Sequence, residues 1–460
     1  MRTEPRTARP RLPAVLTAFV ASAALLLSGC FAGAGGGGLA DSGGNAVNVL
    51  MVNNPQMTDL QRLTKSHFTP QTGIEVHFTV LPENDVRDKI SQEFANQAGV
   101  YDVASISNFE APLYGKYGWL APLDDTVAKD PSFDQADILD PIEEGLRGDD
   151  GKLYAEPFYG ESSFLMYRKD VFAAKGLSVP ERPTWRQVAA LAAAADGAEP
   201  GMKGICLRGL PGWGEVFAPL TTVVNTYGGT WFTEDWQARV NGDGFTEAAT
   251  MYVDLVRAHG EPGAAQAGFA ECLSSFQQGR TAMWYDATSA AGLLEAQDSP
   301  VAGKVGYAMA PVHRTEASGW LYSWAWGIQA ASERQEAAAA FVSWASGRQY
   351  EELVGEELGW ARVPAGKRAS TYANPQYQAA ASSFYRVAEQ SIVSADPRDP
   401  GLQPRPTVGI QFVDIPEFPD LATRVSQEIA AAIAGRTTVA AALDRGQDLA
   451  ERVAAEYRSD

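Results

Sequence analysis

The hydrophobic and polar positions from residue 46 onward alternate between the period of a strand and the period of a helix. Residues 47–52 and 101–106 are mainly apolar, and residues 74–80 alternate apolar with polar side chains, so each of these runs predicts a strand. Apolar side chains that share one helical face over residues 57–68 and over residues 86–94 predict helices between those strands. Repeated strand–helix units predict an α/β fold with a mainly parallel sheet.

Residues 276–292 carry the strongest local signal for a binding site. A short β-prone run over residues 281–285 predicts a strand, and Asp286 begins a small-residue segment suited to a helix start. Trp284 and Asp286 would then stand at the carboxyl end of a sheet, where open α/β sheets bind ligands. The alternative is that Trp284 belongs to the core and Asp286 is only the N-cap of a helix.

The length of the chain predicts more than one domain. Its 460 residues are 45% hydrophobic and 20% charged, which is an ordinary globular composition spread over more residues than one compact core usually holds. An irregular bend at residues 157–163 precedes a predicted strand at residues 164–168. We expect the chain to cross from one domain to the other at this bend.

Charge and motif content exclude several classes of function. The net charge is −19 and no basic run occurs, so nucleic acid and anionic lipid are poor candidate partners. The four histidines lack metal-ligand spacing, and neither a nucleophile elbow nor a phosphate-binding loop is present. We therefore expect no catalytic residues, no metal and no cofactor. A glycosidase stays open as an alternative, since the 56 acidic residues include many possible carboxylate pairs.

The amino terminus predicts export and lipid anchoring. Arginines precede an apolar run that ends at a Leu-Ser-Gly-Cys tetrapeptide, which resembles a bacterial lipobox with Cys30 as the acylated residue. Residues 1–29 are then a cleaved signal peptide, and the Gly/Ser-rich residues 30–45 a flexible tether. An ordinary secretory peptide with a chance cysteine is the alternative. Cys206 and Cys272 can pair in an oxidising exterior, but the sequence does not show whether they do.

The polar side chains near the predicted strand ends suit a neutral polyhydroxylated ligand. Hydroxyl groups both donate and accept hydrogen bonds, so such a ligand needs acceptors such as Asp286 and Glu161 and a donor such as Arg208. Its C–H faces need flat apolar surfaces, which tryptophan and tyrosine supply. We expect Trp284 to be one of those surfaces.

Several sequence blocks in a fixed order carry a resemblance to a known family. The chain resembles the extracellular solute-binding proteins of bacterial ABC importers, which include maltose-binding protein, and within them the sorbitol/mannitol (polyol) branch. The lipobox departs from the soluble periplasmic form common in that branch, and Cys272 has no counterpart that we recognise. The blocks lie at residues 52–54, 117–124 (YGWLAPLD), 157–163 (PFYGESS), 204–209, 211–215 (PGWGE), 224–229, 283–288 (MWYDAT), 324–326 (WAW), 370–374 and 408–413 (VGIQFV).

This resemblance implies a two-lobed fold with the ligand enclosed between lobes that are joined by crossing hinge segments. The lobe limits it implies are residues 46–158 with 311–363 for lobe 1, and residues 159–310 with 364–460 for lobe 2. The ligand-binding residues that we expect are Asn53, Asn108 and Glu110 in the first lobe, Tyr159 and Glu161 at the hinge edge, Arg208, Trp213, Trp284 and Asp286 in the second lobe, and Trp324 and Trp326 from the returning segment.

The function that the resemblance implies is capture of a polyol of the sorbitol, mannitol or arabitol type by hinge closure, followed by delivery to a membrane permease. We expect a monomer that is anchored on the extracytoplasmic face of the cell membrane. The first alternative is the same fold with a mono- or disaccharide such as maltose or trehalose as its ligand. A lipoprotein glycosidase and a purely structural envelope protein are more remote alternatives.

Overall fold

Strands and helices alternate along most of residues 45–458, the part of the chain that the computed structural model describes. The strands are β1 (Ala46–Val52), β2 (Glu75–Leu81), β3 (Val103–Ser107), β4 (Glu156–Glu161), β5 (Ser163–Arg168), β6 (Met283–Ala287), β7 (Val305–Met309) and β8 (Tyr322–Ile328). They form two separate sheets, a five-stranded one and a three-stranded one.

Helices cover both sheets. They are α1 (Pro55–Leu63), α2 (Thr69–Thr72), α3 (Glu83–Ala95), α4 (Glu110–Lys116), α5 (Asp124–Ala128), α6 (Asp140–Glu144), α7 (Lys169–Ala174), α8 (Trp185–Ala195), α9 (Phe217–Thr226), α10 (Asp243–His259), α11 (Phe269–Gln277), α12 (Ala290–Leu294), α13 (Gln335–Ser346), α14 (Arg348–Leu358), α15 (Ala369–Ala373), α16 (Pro375–Ala380), α17 (Tyr385–Val393), α18 (Phe418–Ile433) and α19 (Val439–Tyr457). A π-helical turn (Thr64–Phe68) joins α1 to α2, and short 3-10 turns lie at Pro131–Phe133, Gln135–Asp137, Ala264–Gln266 and Trp360–Arg362.

The five-stranded sheet has the order β2-β1-β3-β8-β4. Strand β1 is parallel to β2 and β3, as the strand–helix pattern predicts, and all of its residues are buried because helices cover both faces. The prediction of a mainly parallel sheet is wrong beyond these strands, since β8 runs antiparallel to β3 and to β4. An apolar run predicts a buried strand but does not indicate its direction.

The three-stranded sheet has the order β6-β5-β7, and both of its pairings are antiparallel. Only Ser162 separates β4 in the first sheet from β5 in the second, and the chain returns between β7 and β8. We call the part built on the five-stranded sheet the first lobe and the part built on the three-stranded sheet the second lobe. The residue limits predicted for the two lobes stay predictions.

The segment predicted as a strand followed at once by a helix differs in detail. Asp286 lies inside β6, where it pairs with Phe164 of β5, and helix α12 begins only at Ala290. Asp286 is therefore not the N-cap of that helix. Its carboxylate faces the interior of the second lobe, where it accepts hydrogen bonds from Arg208 and Trp284.

The predicted signal peptide of residues 1–29, the lipidation site Cys30 and nearly all of the tether lie outside the described residues. Within residues 45–458, no helix has both the length and the apolar content that a bilayer crossing requires.

Cys206 and Cys272 form a disulfide with a Cα–Cα distance of 5.6 Å. Both sulfurs are buried, and the bond joins the segment that leads to Arg208 to helix α11. The alternative that the sequence left open is thereby resolved in favour of pairing. Helix α11 carries Phe269, so the bond holds one wall of the second lobe against the segment around Arg208.

We expect that replacing both cysteines by serine lowers the free energy of unfolding by roughly 4 kcal/mol, because the bond closes a loop over a sequence separation of 66 residues. Chemical denaturation of the double variant measures this difference. Reduction of the wild-type protein should give the same loss. A loss below about 1 kcal/mol in both experiments would show that the bond contributes little to stability.

Candidate functional site

A buried arginine–aspartate pair belongs to the second lobe. Arg208 donates from Nε and Nη2 to the two oxygens of Asp286, at 2.9 and 2.6 Å. Trp284 Nε1 and the Ala287 amide also donate to this carboxylate, and the Asp286 side chain is 0% exposed. The oxygens of Asp286 are therefore engaged by its own lobe, so the group holds Arg208 in position. The direct contact with a ligand that we predicted for Asp286 stays a prediction.

Arg208 also connects this pair to the loop that follows it. Its Nη1 donates to the carbonyl oxygen of Gly214 at 3.1 Å and to Glu215 Oε2 at 3.4 Å. Its guanidinium carbon lies 5.4 Å from the ring centroid of Phe269 on α11. Burial alone would lower the pKa of Arg208, but Asp286 and Glu215 beside it raise the pKa above its ordinary value. The guanidinium is therefore charged and fixed in orientation.

A second arginine lies where the two lobes meet. The guanidinium carbon of Arg87, on helix α3, is 4.2 Å from the ring centroid of Trp213 and 4.7 Å from that of Trp324. Trp213 belongs to the second lobe and Trp324, on β8, to the first, so Arg87 is held between aromatic faces of both lobes. Cation–π contacts of this kind strengthen when the cation is removed from water, and the Arg87 side chain is only 3% exposed.

Acidic and phenolic groups of the first lobe accept the hydrogen bonds that Arg87 donates. It donates to Glu83 on the same helix, to Glu110 Oε2 at 3.2 Å and to the hydroxyl of Tyr322 at 2.6 Å. Glu110 Oε2 also accepts hydrogen bonds from the amide and the hydroxyl of Ser107. Burial opposes the charge of Arg87, but Tyr322, Glu83 and Glu110 together raise its pKa. Each lobe thus presents a neutralised, rigid arginine at the interface.

The amino-terminal end of α3 contacts the glycine-rich loop of the second lobe directly. Asn84 Nδ2 donates to the carbonyl oxygen of Pro211 at 3.0 Å. A Cβ atom on Gly214 would lie 2.7 Å from Glu83 Oε1 and 2.8 Å from Arg87 Nε, so the approach requires a residue without a side chain there. The two lobes are in contact at this point.

Two further carboxyl groups are buried beside the arginines. Ser289 Oγ donates to Glu161 Oε2 at 2.5 Å, whereas Glu161 Oε1 accepts no hydrogen bond from any residue between 45 and 458. Burial raises the pKa of Glu161 to about 8, and the Ser289 hydroxyl and Arg208 offset only part of this effect. Burial and the nearby Glu83 likewise raise the pKa of Glu215. These groups can offer hydrogen bonds to hydroxyls as acceptors and, when protonated, as donors.

The structure brings together most of the predicted site residues. Six of them belong to the two arginine clusters or contact them: Glu110, Arg208, Trp213, Trp284, Asp286 and Trp324. Glu161 is buried near enough to Arg208 for the arginine to lower its pKa. Tyr159 lies close by and accepts a hydrogen bond from Asn54 Nδ2 at 3.3 Å. Trp284 is buried and packs against Phe269 and Phe276, so its aromatic faces meet other rings of the second lobe.

The structure does not bring the other three predicted residues to this cluster. Trp326 is fully buried in the first lobe, where it packs against Phe158 and Phe341. Asn53 is exposed and lines a separate opening of about 420 Å³ that Phe269 shares. Asn108 is engaged by the backbone of residues 321 and 323 and lines another cavity. A ligand role for these residues stays a prediction.

Sequence reasoning missed Arg87, Glu83, Glu215, Tyr322 and Ser289. A usable signal existed only for the first pair, because Glu83 and Arg87 are four residues apart at the start of α3. Such a pair usually indicates a solvated helix face, and nothing in the sequence shows that a tryptophan from the other lobe covers it. The remaining residues meet the site only through the tertiary fold.

The chain is similar to known proteins over most of its length. The profile of the family described as bacterial extracellular solute-binding protein matches residues 54–352. A mannitol-binding protein of Pseudomonas aeruginosa is 40% identical over 412 residues, which cover 89% of this chain and 93% of that protein. A solute-binding protein of Agrobacterium vitis S4, solved with bound D-mannitol, is 44% identical with a TM-score of 0.87, over 90% of this chain and 99% of that one. Maltose-bound T. maritima MalE3 shares the fold at 20% identity and a TM-score of 0.73, covering 89% of this chain and 99% of its own.

Proposed function

This chain belongs to the bacterial extracellular solute-binding proteins, and from that premise we propose that it captures an acyclic polyol between its two lobes for an ABC importer. The family consists of binding components, so the chain is a binding protein and not an enzyme. The ligand class that we propose is a hexitol such as mannitol or sorbitol. Both similar proteins named with mannitol cover nearly the whole chain, which supports this class over a cyclic sugar.

The observation that carries the proposal is the pairing of arginine clusters across the lobe interface. Arg87 of the first lobe and Arg208 of the second are each fixed by carboxylates, and the aromatic rings of Trp213 and Trp324 flank Arg87 between the lobes. Glu161 and Glu215 add acceptors at the same place. Fixed donors, acceptors and aromatic faces are what a chain of hydroxyls and C–H groups requires.

We propose that binding acts through closure of the lobes. A ligand that contacts one lobe first gains the contacts of the other only when the lobes meet, so it stabilises the closed form by the difference in affinity. The contact between α3 and the glycine-rich loop then belongs to the closed form. We also propose that Cys30 carries the lipid anchor, that the protein is a monomer on the outer face of the cell membrane, and that a membrane permease receives the ligand.

Thermal unfolding in the presence of a ligand panel tests the proposal. The panel contains mannitol, sorbitol, arabitol, xylitol, glucose, fructose, maltose and trehalose, and the protein starts just after Cys30. A ligand at about 100 times its dissociation constant should add roughly 2.7 kcal/mol of stability. We expect hexitols to stabilise the protein and cyclic sugars not to. Stabilisation by maltose or trehalose alone would replace the polyol with a saccharide, and no effect from any compound on a folded sample would reject the binding function.

Affinity for the polyol should fall as the pH rises. Burial raises the pKa of Glu161 to about 8, whereas an exposed glutamate titrates near about 4.3. Between these values the closed form holds a proton that an open, solvated Glu161 would lack, so raising the pH favours the open form. The pKa of about 8 includes the effects of the groups near Glu161, which are Arg208, Asp286, Glu83 and Ser289.

Isothermal titration between about pH 6 and pH 9 measures this dependence. The Glu161→Gln variant, which cannot titrate at this position, should show a flatter profile than the wild-type protein. An affinity that is constant over this range, or that rises with pH, would contradict the assignment.

A further inference from the structure

A large cavity lies next to the lobe interface, and we call it the second cavity to distinguish it from the opening beside Asn53. Its volume is about 600 Å³, within the range of small-molecule sites. Residues Asn108, Phe109 and Leu321 of the first lobe form one side, and residues 395–398 and 408–414 form the other. The second group belongs to the segment between α17 and α18, in which the structure has neither helix nor strand. Neither the proposed function nor the comparisons assign this cavity a role.

Two phenylalanine rings separate the cavity from the arginine clusters. Phe109 and Phe412 both line the cavity, and their ring centroids are 5.0 and 4.9 Å from that of Trp213. Phe412 also lies 6.0 Å from the ring of Tyr322, and Trp213 and Tyr322 both contact Arg87. The centroids of the two phenylalanines are 5.9 Å apart. One side of this pair therefore faces the second cavity, and the other side faces the rings that surround Arg87.

The backbone fixes Phe412 in this position. Gln411 Nε2 donates to the carbonyl oxygen of Leu321 at 3.0 Å, and Asn225 Nδ2 donates to that of Ile410 at 2.8 Å. These bonds attach the segment to both lobes. Gly409 has a φ of 121°, and a Cβ atom there would lie 2.2 Å from the carbonyl oxygen of Phe412, so the turn into Phe412 requires glycine. The ring is not free to move away while this turn is intact.

The space beyond the two rings is polar. Asp140, Glu144, Arg147, Asp396 and Arg398 line it, which gives it both acceptors and donors of hydrogen bonds. A ligand longer than a hexitol would find partners for additional hydroxyls there. The boundary between this space and the arginine clusters is apolar, whereas the space itself is polar.

We propose that Phe109 and Phe412 form the wall that limits the length of the ligand, and that shortening Phe412 admits a polyol extended by one glycosyl unit into the second cavity. This inference rests on the proposed polyol function, and it adds that the site selects ligands by their length. In the wild-type protein a hexitol ends at the wall. Shortening Phe412 removes one of the two rings that lie between the second cavity and the aromatic rings around Arg87.

The test compares mannitol with maltitol, a hexitol that carries one glucosyl unit, by isothermal titration of the wild-type protein and of Phe412→Ala. We expect the wild-type protein to bind mannitol and to bind maltitol at least about 100-fold more weakly. In Phe412→Ala, maltitol affinity should rise at least about tenfold over wild type, while mannitol affinity falls. Phe384→Ala is the matched control, because Phe384 is equally buried but packs against Tyr307 and Tyr377.

Each possible result either supports the proposed wall or contradicts it. Equal binding of mannitol and maltitol by the wild-type protein overturns it, as does a folded Phe412→Ala that binds mannitol but gains nothing for maltitol. If Phe412→Ala does not fold, the same titrations are made with Phe412→Leu, and a crystal structure of the wild-type protein with mannitol is determined. Mannitol lying in the second cavity of that structure would contradict the proposed wall. If the wild-type protein binds no polyol at all, the proposed function fails and this inference with it.

Discussion

Replacing Asp286 by alanine is expected to abolish polyol binding and to lower the free energy of unfolding by about 3–5 kcal/mol. The substitution leaves the Arg208 guanidinium buried without the carboxylate that receives two of its hydrogen bonds. It also removes the acceptor of Trp284 Nε1. A buried charge without a partner is far more costly than a pair that was never present. Chemical denaturation and isothermal titration measure the two losses separately.

A surface pair provides the matched control for this variant. Arg280 donates to Glu261 at 2.9 Å, but the arginine side chain is 47% exposed, so Glu261→Ala should cost less than about 1 kcal/mol and leave binding unchanged. The double variant Arg208→Met with Asp286→Leu separates stability from function. It removes both members of the pair together, so part of the stability should return while binding stays lost. Recovery of binding in the double variant would show that Arg208 does not contact the ligand.

The sequence predicted the fold where a local pattern decides the structure. The alternating strands and helices of β1 to β3 follow directly from hydrophobic periodicity, and the structure has them near the predicted positions. The direction of β8 was not predictable in this way, because it depends on how the chain returns from the second lobe. Asp286 shows the same limit on a smaller scale. Its neighbours suit a helix start, yet pairing with Phe164 keeps it in a strand.

The site was predictable from residue chemistry only in part. Arg208 and Asp286 were predicted because a polyol needs donors and acceptors, and Trp213 because of the family resemblance. The structure pairs Arg208 with Asp286 inside the second lobe and places Trp213 against Arg87 of the first lobe. The pairing of Asp286 with Arg208 was not predictable, because the sequence does not show the distance between their side chains. Arg87 was missed because its setting is created by two tryptophans that are 111 positions apart, at 213 and 324. Contacts between lobes have no signature within a single segment of sequence.

The contact between α3 and the glycine-rich loop makes a further substitution informative. Gly214→Ala is expected to weaken polyol binding by roughly 10- to 100-fold with little change in folding stability. A methyl group there would lie 2.7 Å from Glu83 Oε1 and 2.8 Å from Arg87 Nε, which is closer than such atoms can approach. Arg87 cannot easily move aside, because Glu110 and Tyr322 bind it and Trp213 and Trp324 cover it.

The effect should appear in binding rather than in folding because the clash exists only when the lobes meet. An open form relieves it, so the substitution shifts the balance between open and closed forms against the form that holds the ligand. Gly242→Ala is the control. Gly242 is the half-buried N-cap residue of α10, and a methyl group there would meet its nearest atom, the carbonyl oxygen of Arg239, at 3.2 Å. Small-angle scattering with saturating mannitol should report a more open Gly214→Ala than wild-type protein. Wild-type affinity in Gly214→Ala would mean that the ligand is held without this contact, and closure would then have to rest on other surfaces.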